Sequence, residues 1–236
     1  MVKDYIFAVK PMQMNIPEQI EAIKRELPPH VKLVAVTKTH PVDTIMQAYS
    51  TGHKIFGENK VQDLVSKYDL MPKDVEWHLI GHLQTNKVKY IAPFVSLIHS
   101  VDSLKLLSVI DKEAQKCNRI IDCLLQVYIA SEETKFGLSA DELHELLQSP
   151  ELEQLQNVRV CGLMGMATFT DNMQQVRMEF RFLKNLFDEV KLRYFSAKPW
   201  FKDLSMGMSN DYRIAVEEGS TMVRIGSNIF GHRSYT

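Results

Sequence analysis

The sequence predicts one α/β domain over residues 1–236, a parallel (β/α)8 barrel of the TIM type with an extra helix at its N-terminal end. Three observations carry that expectation. Short runs rich in β-branched and apolar residues alternate with longer amphipathic stretches, the pattern of strands joined by crossover helices. Eight strands recur, the number that closes a barrel, the alternative being an open doubly wound sheet. No Gly/Ser-rich linker divides the chain, and no repeat is visible beyond the alternation itself.

After a loose start, residues 16–27 form an amphipathic stretch stopped by Pro28-Pro29, since proline removes a backbone donor and cannot continue a helix. Val31–Thr37 is the first strand, followed by Pro41 and a helix reaching Ser50. Lys54–Gly57 is the second strand, with a helix over Lys60–Tyr68. The third is Val75–Gly81, with a helix near Thr85–Ile91. The fourth is Val95–His99, with a helix over Ser103–Lys116. The fifth is Ile121–Ile129, with a helix over Ala140–Leu147. The sixth is Val158–Met166, with a long helix over Met173–Leu192. The seventh is Phe201–Ser205, with a helix over Asn210–Glu218, and the eighth is Met222–Ile225.

Composition excludes several classes of function. Apolar residues are 45% and charged residues 24% of the chain, the usual balance of a globular protein. With 28 basic and 29 acidic residues the net charge is -1, so no electrostatic case exists for nucleic acid. Cys117, Cys123 and Cys161 form no CxxC pair and read as free thiols in a reducing compartment. No apolar run approaches the roughly 18 residues that cross a membrane. Met1–Val9 is too short and charged for a secretion signal, so a cytoplasmic protein is expected.

In a barrel of this kind, chemistry sits at the carboxyl ends of the strands, and a phosphate site often follows the last two. Those ends carry Lys38, Glu58 with Asn59, His82 with Gln84, Ser100 with Asp102, the Ser131–Thr134 loop, Thr168, Ser205 with Ser209, and Arg224 with Gly226 and Ser227. Leu204–Asp211 and Thr221–Gly231 each read as an apolar strand ending in glycine and small hydroxyl residues. Backbone N–H groups left unpaired at a helix start, approached closely past glycine, bind anions. Ser209, Gly226 and Ser227, with Arg224 between them, are therefore candidates for holding a phosphorylated ligand. Lys38 follows the apolar run Leu33–Val36, where partial desolvation makes an amine a nucleophile toward carbonyls; alone, it would read as a lysine snorkelling to the surface. Together with phosphate loops, it suits a phosphorylated aldehyde held as a Schiff base. Pyridoxal 5'-phosphate is the first candidate, and a sugar phosphate on a Schiff-base aldolase the second.

Several linked motifs give this reading a family. Ala35-Val-Thr-Lys38, Phe56-Gly-Glu-Asn59 with Val61-Gln62, Trp77-His-Leu-Ile-Gly81 with Leu83-Gln84 and Asn86-Lys87, Leu204-Ser-Met-Gly-Met-Ser209 and Val223-Arg-Ile-Gly226 resemble the YggS family of pyridoxal-phosphate homeostasis proteins. The resemblance covers about residues 16–231 and implies the barrel of the alanine racemase N-terminal domain. It implies that Lys38 bonds the cofactor aldehyde, that Ser209, Gly226 and Ser227 hold the phosphate, that Arg224 faces the pyridine nitrogen, and that Asn59 lines the cofactor. Lys60, where the family more often has tyrosine, and the Ala130–Lys135 loop depart from the pattern.

The implied chemistry is restrained. A guanidinium stays charged at any relevant pH, so a pyridine nitrogen facing Arg224 should lack a proton and be a weaker electron sink. Racemases that resemble this barrel are two-domain dimers whose second domain supplies a tyrosine base. After Gly231 only His232–Thr236 remain, so this sequence is expected to offer a lysine on one face of the cofactor and nothing opposite. The expectation is a non-catalytic, monomeric carrier of pyridoxal phosphate, acting in vitamin B6 and amino-acid balance and serving apo-enzymes that need the cofactor. An amino-acid racemase is the alternative. Among the remaining features, His78 and His82 are spaced four apart across a strand without a third metal ligand, and His99 reads as a hydrogen-bonded barrel residue. Glu132-Glu133 read as a solvated loop. Met164, Met166, Met206 and Met208 read as adaptable core filler.

Overall fold

A computed structural model of the chain describes residues 15–130 and 136–231. The Ser131–Thr134 loop with Lys135, the Met1–Val9 segment and the His232–Thr236 tail lie outside the described residues. Eight parallel strands close into a barrel in the order β1 to β8, with β1 pairing β8. They are β1 Lys32–Val36, β2 Ile55–Glu58, β3 Glu76–Leu79, β4 Leu97–Val101, β5 Ile121–Gln126, β6 Val158–Met164, β7 Asp203–Met208 and β8 Met222–Ile225. The helices are α1 Ile16–Glu26, α2 Val42–Tyr49, α3 Val61–Leu70, α4 Val88–Ile91, α5 Leu104–Lys116, α6 Ala140–Gln148, α7 Pro150–Gln154, α8 Met173–Tyr194, α9 Tyr212–Glu217 and α10 Ser227–Phe230.

Local chemistry explains where these elements begin. A capping box opens α1, in which the Asn15 side chain accepts the Glu18 N–H and Glu18 accepts the Asn15 N–H. Ser139 and Glu142 repeat the arrangement at α6. Ser149 then caps a second short helix whose first residue is Pro150, a position where the missing N–H costs nothing. The sequence pattern did not signal α7, because its five residues are too few to show a period.

Side chains alternate across the wall of the barrel, as the two-residue period of a strand requires. Val34, Leu97, Leu124, Cys161, Met164 and Met222 pack together as the barrel filling. Their neighbours in the chain, Leu33, Ala35, Ile98, Leu125 and Val223, join the larger apolar layer between strands and helices. Cys123 and Cys161 are buried free thiols and Cys117 is half-buried. Among the described residues no helix is long and apolar enough to cross a membrane.

Two boundaries differ from the sequence pattern in ways that shape the site. Strand β7 runs to Met208, not Ser205, because Gly207 adopts φ +94°, which permits an irregularity in its pairing with β8. A Cβ built there would lie 2.5 Å from the Ala215 Cβ, so only glycine lets α9 pack this close. In consequence Ser209–Asp211 form a turn and α9 starts at Tyr212, rather than a helix opening at Asn210. Lys38 likewise lies beyond the last residue of β1, in a turn, and not at the strand end itself.

Candidate functional site

At the carboxyl ends of the strands lies a cavity of about 460 Å³. All six residues singled out from the sequence, Lys38, Asn59, Ser209, Arg224, Gly226 and Ser227, line it. They come from the ends of β1, β2, β7 and β8, residues as much as 189 positions apart brought onto one rim by barrel closure, because β1 sits directly against β8. Lys38 is half-buried, as are Asn59, Ser209, Gly226 and Ser227.

The β7 and β8 loops are joined to each other. The Gly226 N–H donates to Ser209 Oγ at 3.2 Å, and Asn228 Nδ2 donates to the Ser209 carbonyl at 2.9 Å. Both the Ile229 and Phe230 N–H groups return to the Gly226 carbonyl, each at 2.9 Å, leaving those of Ser227 and Asn228 without a partner inside α10. Gly226 also passes close to β1, where an added Cβ would come within 3.1 Å of the Val36 carbonyl. Small residues and the Ser227 and Asn228 N–H groups, unpaired within α10, suit an anion at this corner. Asp211 closes the corner, its Oδ1 accepting the Met208 N–H at 2.5 Å; burial raises its carboxyl pKa and that bond draws it back.

Arg224 lies at the cavity floor with 3% of its surface exposed. Its Nη1 donates to the Ser205 carbonyl at 2.9 Å and to Ser205 Oγ at 2.6 Å, and its Nη2 donates to the Gly165 carbonyl at 3.1 Å. Burial pulls its pKa down to about 10, which still leaves it charged at neutral pH. From Ser205 the chain of bonds continues to His99 Nδ1 at 3.0 Å, then from His99 Nε2 to His78 Nδ1 at 3.1 Å. An arginine can only donate, so Ser205 Oγ accepts from Arg224 and shares a further hydrogen bond with His99 Nδ1. Neutral His99 has one N–H and one acceptor nitrogen, so it donates in one of these two bonds and accepts in the other. Burial holds His78 neutral, with a pKa near 3, and pushes His99 well below the ordinary imidazole value. The sequence reading of His99 as a hydrogen-bonded barrel residue agrees with this network.

Other residues in the cavity lie outside the six. His82 and Asp102, at the ends of β3 and β4, face each other at 3.7 Å between Nδ1 and Oδ2. A titratable pair therefore shares the cavity with Lys38, where the sequence reading allowed for the lysine alone. Both residues stand at the strand ends named from the sequence, and that position is the signal that could have found them. His78 and His82 serve separate networks. Met166 is 39% exposed and lines the cavity with Met208, whereas Met164 and Met206 are fully buried, so only half of that methionine group is core filler. Thr168, also at a strand end, instead donates through its N–H and hydroxyl to Glu179.

A lysine amine, a corner of small residues and backbone N–H groups, and a buried cation around one cavity can hold a phosphorylated aldehyde. Comparison with known proteins points the same way. Residues 13–234 match the family described as alanine racemase, N-terminal domain. A pyridoxal phosphate homeostasis protein of Aquifex aeolicus is 45% identical over 205 residues, covering 86% of this chain and 88% of the relative. The chain belongs to the pyridoxal phosphate homeostasis protein family. A homologue of that name from Synechocystis is 36% identical, with 93% of this chain and 100% of the relative covered. Among solved structures, PipY of Synechococcus elongatus with PLP bound has a TM-score of 0.83 at 34% identity, covering 92% of this chain and 100% of PipY. Alanine racemase of Clostridium difficile shares the fold, at TM-score 0.69 and 14% identity, with 57% of its chain covered.

Proposed function

We propose that this protein binds pyridoxal 5'-phosphate as a Schiff base on Lys38 and serves vitamin B6 homeostasis as a non-catalytic carrier. The observation that carries the reading is the convergence of Lys38, the Ser209–Gly226–Ser227 corner and Arg224 on one cavity of about 460 Å³. The family supports it, since relatives bear the homeostasis name and PipY is described with PLP bound. When bound, the cofactor supplies an aldehyde for the lysine and an aromatic ring that can accept electrons.

The residues divide the work. Ser209 would offer the phosphate its hydroxyl and Ser227 its backbone N–H, with Gly226 leaving room for the close approach. Arg224, its guanidinium fixed by Ser205 and Gly165, would face the pyridine nitrogen and leave it without a proton. Asn59, at the cavity wall, would line the ring. This arrangement favours holding and release over turnover, because an unprotonated ring withdraws electrons weakly. The protein acts as a monomer in the cytoplasm, where its free thiols stay reduced, and passes the cofactor to apo-enzymes.

Deuterium exchange separates this reading from the racemase. Holo-protein incubated with each L-amino acid in deuterated water should leave the Cα hydrogen in place over hours. Exchange within minutes that disappears in His82→Gln would assign turnover to the His82–Asp102 pair and end the carrier reading.

A further inference from the structure

The Lys38 turn and the groups beneath it form an arrangement that anion binding and Arg224 do not explain. The His40 N–H donates to the Thr37 carbonyl at 3.0 Å, closing a four-residue turn with Lys38 second and Thr39 third. Thr39 has φ +70°, whereas Lys38 does not have a positive φ, which is the backbone pattern of a type II turn. That third position favours glycine or asparagine. A β-branched threonine there is strained, and a strained residue persists only where its surroundings over-determine it.

The surroundings are an ion pair under the turn. Lys67 of α3 donates to the same Thr37 carbonyl at 2.8 Å and to Glu58 Oε1 at 2.5 Å. Thr37 Oγ1 also donates to Glu58 Oε1 at 2.5 Å, and the Thr37 N–H donates to the Gly57 carbonyl at 3.0 Å. Every polar group of Thr37 is therefore tied to β2, to α3 or to the turn. Glu58 is fully buried and Lys67 is 8% exposed, a placement lysine almost never adopts unless paired. Glu58 Oε2 is buried with no partner among the described residues. A buried pair with an orphan oxygen is a poor device for stability, since apolar replacements of similar size often do as well or better. Its bonds converge instead on the residue before Lys38, and Glu58 itself precedes Asn59.

We infer that Thr37, Glu58 and Lys67 are positioning residues that lock the Lys38 turn in its strained form, so that the amine meets an incoming aldehyde already oriented. Orientation of this kind governs the rate at which a bound carbonyl is captured, and leaves the anion corner on β7 and β8 unaffected. The inference rests on the proposed function for its ligand, but the lock itself does not.

Thr37→Val removes one hydroxyl at nearly constant volume, Thr37→Ser keeps it, and Glu58→Gln breaks the ion pair. Capture of pyridoxal 5'-phosphate would be followed by absorbance, and binding of pyridoxine 5'-phosphate, which has no aldehyde, by calorimetry. Thr37→Val and Glu58→Gln should capture about tenfold more slowly, bind pyridoxine 5'-phosphate as the native protein does, and Thr37→Ser should capture normally. Native capture rates in Thr37→Val, or equal losses with both ligands, would overturn the inference. Should Glu58→Gln fail to fold, Thr37→Val and Thr37→Ser decide alone. Hydrogen exchange of the His40 amide in cofactor-free protein provides an independent readout. It should quicken in Thr37→Val and not in Thr37→Ser; an unchanged rate in Thr37→Val overturns the lock even if the native protein captures no pyridoxal phosphate, a result that would by itself sink only the proposed function.

Discussion

Replacing Ser205 with alanine should cost more than a single hydroxyl suggests, because the hydroxyl sits between a buried cation and a buried imidazole. Ser205 Oγ accepts from Arg224 at 2.6 Å and faces His99 Nδ1 at 3.0 Å. Hydrogen bonds to charged groups contribute about 1.5–3 kcal/mol, and a buried polar atom left without its partner costs roughly 1–3 kcal/mol. Arg224 keeps two other acceptors, the Ser205 and Gly165 carbonyls, which places the cation's loss near the lower end of that range. The two effects together come to about 3 kcal/mol. For a chain of this size that lowers the melting temperature by about 10 °C. Urea unfolding of native protein and Ser205→Ala should show a fall in midpoint with an unchanged slope, the sign of altered stability and not of altered compactness. A loss below about 1 kcal/mol would mean that the Arg224–Ser205–His99 chain is not a single bonded unit.

The remaining predictions concern pH and the site itself. Burial lowers the pKa of His53 from 6.5 to about 4 and that of His78 to about 3, and His99 falls well below the ordinary value. The unfolded chain therefore binds protons that the folded chain refuses. Stability is full above about pH 6.5 and is lost as pH falls from there toward 4, by up to about 4 kcal/mol per pH unit if all three histidines contribute. Calorimetric melts across that window check this, and His53→Gln should reduce the slope by about a third. Gly81→Ala should displace Asn59, since the new Cβ would lie 2.3 Å from the Asn59 carbonyl oxygen, costing about 1–3 kcal/mol of stability and weakening cofactor binding in titration. Ser209→Ala removes the acceptor of the Gly226 N–H, so affinity for pyridoxal 5'-phosphate should fall about tenfold while unphosphorylated pyridoxal binds as before.

The barrel was legible because its signals are local. Runs such as Met222–Ile225 keep the same limits in sequence and structure, and their two-residue alternation is set by the strand itself. That the six candidate residues share one cavity was legible for a related reason, namely that barrel topology sends every strand end to one rim. What escaped depends on tertiary neighbours. Lys67 occupies an ordinary position in an amphipathic helix, and nothing in its flanking residues reveals that it is buried against Glu58. The strained turn at Thr39 carries no glycine to mark it. His99 and Ser205 are 106 residues apart, so their bond exists only once β4 and β7 share one barrel interior. Strand β7 was cut short because Gly207 reads as a terminator, whereas its left-handed backbone carries the strand onward.

Covalent attachment at Lys38 is tested most directly by hydride trapping. Protein incubated with pyridoxal 5'-phosphate, reduced with borohydride and digested should yield one modified peptide, carrying the pyridoxyl group on Lys38, and Lys38→Ala treated alike should yield none. A protein whose absorbance is unmoved by the cofactor, or a label distributed over surface lysines equally in both proteins, would contradict the assignment.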